Sequence, residues 1–216
     1  MRFLCITDLH GRLAALERVL AHAGPADAVL LGGDLTTFGS PSDAQRIVEA
    51  ARAHVPVVLA VAGNCDSVAI DRRLVELGAS LNGRAVVLGN VGLHGVSGIP
   101  PWKKGMHQLP EESLASVLAA GADQMGLAVW HVVLAHVPPR ETQLDQTMFW
   151  KRAGSTALRE FIDRRQPSLV VCGHIHEGRG IVRMGRSIVV NCGHGASGSY
   201  ALAQIDEHVS VQLCSA

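Results

Sequence analysis

Five times in this chain a short apolar run stops abruptly at Gly, Asp, Asn or His. Arg2 to Thr7 ends at Asp8-Leu9-His10-Gly11, Ala28 to Leu31 at Gly32-Gly33-Asp34, and Val55 to Val61 at Gly63-Asn64-Cys65-Asp66. Val132 to Ala135 ends at His136-Val137-Pro138-Pro139, and Leu169 to Val171 at Cys172-Gly173-His174-Ile175-His176-Glu177. Runs this short and this apolar read as buried strands. Helical spacing follows the first in Leu13, Leu16, Val19 and Leu20, and after the second Ser40 and Pro41 form an N-cap and first position for a helix through Ala53. Strand, polar loop and helix in that order specify an α/β fold, whose sites gather at the carboxyl ends of the strands.

The middle of the chain is less regular. Arg72 to Leu77 closes a helix, and Ala85–Leu88 with Val91–Val96 forms a hairpin around Gly89-Asn90. Residues 98 to 105 have the composition of a surface loop long enough to act as a flap, and residues 140 to 154 form a second long polar loop. Helices are expected over Glu111–Gln124 and Ser155–Arg165, the first with acidic residues in its opening turn as the helix dipole favours. Ile181–Met184, Ser187–Val190, Ala201–Ile205 and Val209–Leu213 are four short strands suited to an antiparallel sheet.

Composition narrows the class. A length of 216 residues, 48% hydrophobic, suits one large domain with a full core and a sheet covered on both faces. Nineteen basic and nineteen acidic residues cancel, so no overall charge draws the chain to a polyanion or an anionic membrane. The five cysteines are scattered, odd in number and free of any C-x-x-C pair, as expected of reduced thiols in a cytosol. Asp8 comes too early for a signal peptide, and no apolar stretch is long enough to span a bilayer. The expected location is cytoplasmic.

In an extended backbone, His174 and His176 face the same side, and two converging imidazoles suit a metal. Alone they read as loop histidines without a shared task. The strand ends together supply Asp8, His10, Asp34, Asn64, His136, His174 and His176. That mixed oxygen and nitrogen set suits two divalent transition ions. In this order, Asp8-Leu9-His10, Gly33-Asp34, Gly63-Asn64-Cys65-Asp66, His136 and Gly173-His174-Ile175-His176 resemble the motifs of the calcineurin-like metallophosphoesterases. Cys172 to Glu177, the His136 segment and Gly154 to Ile162 further resemble a prokaryotic branch, the Icc-related predicted phosphoesterases.

The resemblance implies a four-layer α/β/β/α sandwich of two sheets with helices outside and the metals at the strand ends. It assigns Asp8, His10 and His176 to the first metal, Asp34 to the bridge, and Asn64, His136 and His174 to the second. His174 and His176 are thereby split between two ions. Two cations roughly 3.5 to 4 Å apart clamp a phosphate and acidify a bridging water, whose hydroxide attacks phosphorus in line. Manganese, iron, zinc, cobalt and nickel all suit these ligands, with manganese favoured in vitro.

Cys65 departs from the commonest family pattern, in which a His follows the Asn and the next Asp orients it. A thiol of pKa about 8.5 is a poor substitute for imidazolium in protonating a leaving alkoxide. Activated leaving groups or diesters are therefore favoured; Cys65 itself reads first as a packing residue, with a catalytic part as the alternative, and Asp66 loses its usual partner. Catalytic roles are expected for Asp34, Asn64, Cys65, Asp66 and His136, and substrate contacts for Arg12, Asn64 and His194. His94 and His107 read as plain loop histidines. Trp102 and Trp150 read as core or loop-anchoring side chains, with base stacking beside Lys103-Lys104 or Lys151-Arg152 as the alternative. Asn191-Cys192-Gly193 reads as a backbone turn.

The function expected is a dinuclear metal-dependent phosphodiesterase on small nucleotide-like or cyclic diesters. The alternative is a phosphomonoesterase or pyrophosphate-bond hydrolase, and a protein-interaction scaffold of the same fold is a third reading. The expected partner is a small-molecule phosphate ester, with no stable nucleic-acid or membrane partner; a homo-oligomer is compatible with the sequence.

Overall fold

A computed structural model describes residues 1–148 and 151–216; Trp150 lies outside the described residues. The elements in chain order are β1 (Arg2–Ile6), α1 (Leu13–Ala23), β2 (Ala28–Gly32), α2 (Pro41–Arg52), β3 (Val58–Val61), α3 (Val68–Glu76), β4 (Ala85–Leu88) and β5 (Val91–Val96). After them come α4 (Glu111–Ala122), β6 (Trp130–Ala135), α5 (Thr156–Arg165), β7 (Leu169–Cys172), β8 (Gly180–Met184), β9 (Ser187–Asn191), β10 (Ser199–Ile205) and β11 (Val209–Ser215). One sheet has the order β11-β10-β1-β2-β3 and the other β4-β5-β6-β7-β9-β8.

Alternation along the strands builds the layers. Phe3 and Cys5 of β1, Leu30 of β2, Val132 and Leu134 of β6, and Leu169 and Val171 of β7 meet in one cluster between the sheets. Their neighbours Leu4, Ile6, Val29 and Leu31 turn the other way, onto Leu16, Val19, Ile47, Val48, Ile70 and Leu74 of α1, α2 and α3. Val133, Val170 and Val189 likewise pack on Leu114, Leu118, Leu158 and Ile162 of α4 and α5. The result is the expected four layers, helix on sheet on sheet on helix. Because β1, β2 and β3 run parallel, as do β5, β6, β7 and β9, the carboxyl ends of both parallel groups deliver their loops to the site.

Local chemistry sets the element ends. Ser40 accepts from the Asp43 N–H while Asp43 accepts from that of Ser40, a reciprocal cap for α2. β3 starts at Val58, later than the apolar run suggests, because the Val55 N–H still serves the Ala51 carbonyl of the preceding helix end and Pro56 has no N–H. Glu111 does more than complement its own helix: its carboxylate accepts from the Ser155 hydroxyl and the Thr156 and Ala157 N–H groups, capping α5 from α4.

The four late strands do not make one antiparallel sheet. They are two hairpins on different sheets: β9 pairs with β8 antiparallel but with β7 parallel, while β10 pairs antiparallel with both β1 and β11. Ser187–Asn191 is buried throughout, as a central parallel strand requires, whereas Gly180–Met184 lies at the edge and is partly exposed along its length. No helix among the described residues is long and apolar enough to cross a membrane.

Candidate metal centre

Loops from both sheets converge, and backbone hydrogen bonds lace them together. The N–H groups of Asp8, His10 and Gly11 donate to the carbonyls of Gly33, Asp34 and Leu35, so the first two strand-end loops run side by side. Gly195 and Ala196 donate to Thr7 and Asp8, which ties the loop after β9 to the first, and Gly173 donates to His136. This lacing forces unusual backbone angles: Asp8, His10, Asp34 and His174 all have positive φ, four of the seven such non-glycine residues described. Such conformations cost of order 1 to 3 kcal/mol each, and they persist where surrounding contacts over-determine them.

Three glycines make the side chains fit. A Cβ on Gly33 would lie 2.5 Å from His136 Nδ1, one on Gly63 2.2 Å from Asp34 Oδ1, and one on Gly173 2.2 Å from Asp8 Oδ2. Each glycine in the motifs thus leaves the space in which a predicted ligand from another segment sits.

All seven predicted metal residues lie in this cluster. Asp8 is fully buried and Asp34 only 3% exposed, and among the described residues their ion-pair partners are all imidazoles. His176 Nε2 is 3.2 Å from Asp8 Oδ1, His10 Nε2 is 3.8 Å from Asp34 Oδ2, and His136 Nε2 is 3.5 Å from Asp34 Oδ1. His136 Nδ1 faces the Gly32 carbonyl at 3.0 Å, which only accepts, so Nδ1 carries a proton and Nε2 points into the cluster. There Nε2 meets the Asn64 carboxamide oxygen at 2.9 Å. The His174 ring lies 5.2 Å from that of His136, while the His176 ring sits against His10. The two histidines face different partners because His174 is left-handed at φ 67° and a short 3-10 turn begins at His176, not because an extended backbone aligns them.

Charge follows the geometry. Burial raises the Asp8 carboxyl, but the His176 hydrogen bond and the fields of His136 and His176 bring it down to about 2. Burial, helped by His136, lowers His174 to about 3 and keeps it neutral. Burial opposes a proton on His136, and the carboxylates of Asp34 and Asp8 outweigh it, raising its pKa.

These groups fit a pair of cations. Asp8, Asp34 and His136 present ligand atoms within 4.8 Å of one another, and so do His10, Asp34 and Cys65. Asp34 belongs to both sets, the position a bridge requires. Wherever His136 Nε2 is deprotonated, it and the Asn64 oxygen are two acceptors facing each other at close range, an arrangement that a cation satisfies.

The remaining predicted residues separate. Cys65 sits at the cluster edge, its N–H donating to Asp34 Oδ1 at 2.7 Å and its sulfur accepting from Asn64 Nδ2 at 3.2 Å; burial and then the Asp34 carboxylate raise its thiol. Asp66 lies beside the cluster. It accepts from the Gly63, Leu35 and Thr36 N–H groups and the Thr36 hydroxyl, pinning the third loop to the second, and burial raises it to about 6. These bonds give it a positioning part beside the catalytic one expected of it. His194 stacks on His176 with ring centres 4.3 Å apart, and its nitrogen joins those of His10 and His176 within 4.8 Å. The expectation of a substrate contact missed that grouping, although the end of β9 after Asn191 was a signal for it. Arg12 lies exposed beside them at the start of α1.

One expectation changes and two are filled in. His94 is no loop residue: it is fully buried in β5 on the helix side, against Gly121 and Phe161, with neither ring nitrogen partnered among the described residues, and burial drops it to about 4. Trp102 follows the loop reading and not the core one, being 50% exposed in the 98 to 105 loop. That loop and its continuation are instead tied to the third strand-end loop by the Gly98 N–H to Ala62 and the His107 N–H to the Asn64 carbonyl. Asn191, read as part of a backbone turn, proves to be an organiser. Its buried carboxamide donates to the Gly173 and Ile175 carbonyls and accepts from the Gly193 N–H, holding the His174 loop in place.

The comparisons agree with this architecture. Uncharacterized protein MJ1162 of Methanocaldococcus jannaschii is 27% identical over 198 residues, 88% of this chain and 87% of that protein. The structure of TT1561 of Thermus thermophilus superposes with a TM-score of 0.76 at 21% identity, covering 99% of this chain and 98% of that one. Purple acid phosphatase PPD1 from yellow lupin shares the fold at a TM-score of 0.60 and 14% identity, over 100% of this chain and 51% of that one. A sequence model of the calcineurin-like phosphoesterases matches residues 1–178, and the chain belongs to that family of metal-dependent phosphoesterases.

Proposed function

We propose that this protein is a dinuclear phosphodiesterase acting on small diesters with good leaving groups. In this reading Asp8, His10 and His176 hold one ion, Asn64, His136 and His174 the other, and Asp34 lies between them. When bound, such a pair supplies a positive clamp for phosphoryl oxygens and makes an attacking water acidic near neutral pH. The chain's own residues position that chemistry. The Gly32 carbonyl orients His136, and the Cys65 N–H holds Asp34 Oδ1. Thr37 lies 3.1 Å from His10 Nδ1 and orients that ring.

The observation that carries the diester preference is Cys65. The position beside Asn64 offers a half-buried thiol whose pKa is raised, and the neighbouring Asp66 carboxylate is fully engaged by backbone and Thr36. Neither group donates a proton readily to a departing alkoxide at neutral pH, so esters whose leaving group needs no proton are favoured. The fold shared with a purple acid phosphatase keeps the monoester reading as the competing one.

The test compares bis(p-nitrophenyl) phosphate with an alkyl monoester, glycerol 2-phosphate, with and without manganese, in wild type and Asp34→Ala. The diester is expected to turn over faster, only with metal, and Asp34→Ala to lose more than the ~100-fold that removal of an outer partner costs. Faster monoester hydrolysis would overturn the diester preference. Equal inactivity of both proteins, with a protein partner still bound, would favour the scaffold reading.

A further inference from the structure

Beside the metal cluster, the first turns of α1 and the loop after β9 enclose an open cleft of about 540 Å³. His194 belongs to both places, lining the cleft while its ring stacks on His176. Half of its lining is small, Gly11, Ala14, Ala15 and Ala196, which leaves its selectivity to the few larger side chains. Two of these are Arg12 and Arg18, both exposed. No acidic side chain lines the cleft, and neither guanidinium is paired with a carboxylate among the described residues. In a chain of zero formal net charge, two unpaired arginines next to a phosphoester site are a local excess of positive charge. The volume lies within the range of small-ligand sites, about 300 to 1,000 Å³.

We infer that Arg12 and Arg18 form a subsite for a second phosphoryl group, so that the preferred substrates are phosphoesters carrying another phosphate away from the scissile one. This rests on the proposed phosphoesterase reading and adds the substrate class. Guanidinium forks bind phosphate oxygens through paired, charge-assisted hydrogen bonds, and a cleft lined by one sign of charge concentrates anions. A lone phosphate ester engages only the metal cluster. A substrate with a second phosphate on the His194 side engages both, and gains affinity and orientation from the second contact.

Binding tests this independently of turnover. In manganese-loaded protein, thymidine 3′,5′-bisphosphate is expected to bind about tenfold more tightly than thymidine 5′-monophosphate by calorimetry, a gap of the size that charge-assisted contacts provide. Arg12→Gln and Arg18→Gln are expected each to narrow that gap, whereas Arg84→Gln, just before β4, is expected to keep it. Equal affinity for the two ligands, absence of binding by either, or a gap untouched by both cleft variants would overturn the inference. Turnover of the activated diester is read separately. A protein that shows the gap but hydrolyses nothing would sink the proposed function alone, and an active protein without the gap would sink the subsite alone.

Discussion

At the scale of single residues, the site is a problem of approach. Gly173 permits Asp8 to lie where a Cβ would sit 2.2 Å from its carboxylate, with Thr7 Cβ a further 2.6 Å contact. Gly173→Ala is therefore expected to abolish manganese-dependent hydrolysis by pushing Asp8 out of the cluster, while circular dichroism still reports the fold; retention of more than half the activity would contradict this. Cys65→His tests leaving-group protonation. It is expected to raise monoester turnover relative to diester turnover, and an unchanged ratio would leave Cys65 without a part in ester choice. The seven candidate ligands were legible because acidic, amide and imidazole groups ended successive apolar runs in a known motif order. Their left-handed backbones were not, since positive φ at Asp8, His10, Asp34 and His174 arises where loops distant in sequence lie side by side. The anchoring of Asp66 likewise depends on Leu35 and Thr36 of another loop.

At the scale of elements, helix ends and strand partners carry the information. Glu111 caps α5 across the α4–α5 contact, and although partial burial raises its pKa, hydrogen bonds from Ser155, Ala157 and Thr156 outweigh this and lower it. A lowered folded pKa means stabilisation that is present above the unfolded value, about 4.3, and lost as pH falls through the folded one. Glu111→Gln is expected to cost about 1 kcal/mol at pH 7, seen as a lower Tm, with the difference from wild type shrinking at the acid end; a constant difference from pH 7 to pH 3 would contradict it. The helix cap at Ser40 was readable because its side chain acts on local backbone. The placement of β8 to β11 was not. Hairpin signals show which strands are paired, whereas the choice of sheet is made by β7 and β1, the non-hairpin partners of β9 and β10.

At the scale of the molecule, two sheets press together so that parallel strands from both present their carboxyl ends to one site. The class of fold was legible in the strand, loop and helix order, and the interdigitated layer between the sheets follows from alternation along each strand. Buried carboxylates and imidazoles gathered in one place couple stability to metal. Manganese is expected to raise the Tm of wild type, and to raise that of Asp34→Ala much less; an equal shift in both would place the bound metal elsewhere. The whole reading of the site depends on His174 and His176 serving two ions, and the metal content of the purified chain reports on that division. After manganese loading and gel filtration, two ions per chain are expected in wild type and about one in each of His174→Ala and His176→Ala. A single ion in wild type, or two ions retained in both variants, would contradict it.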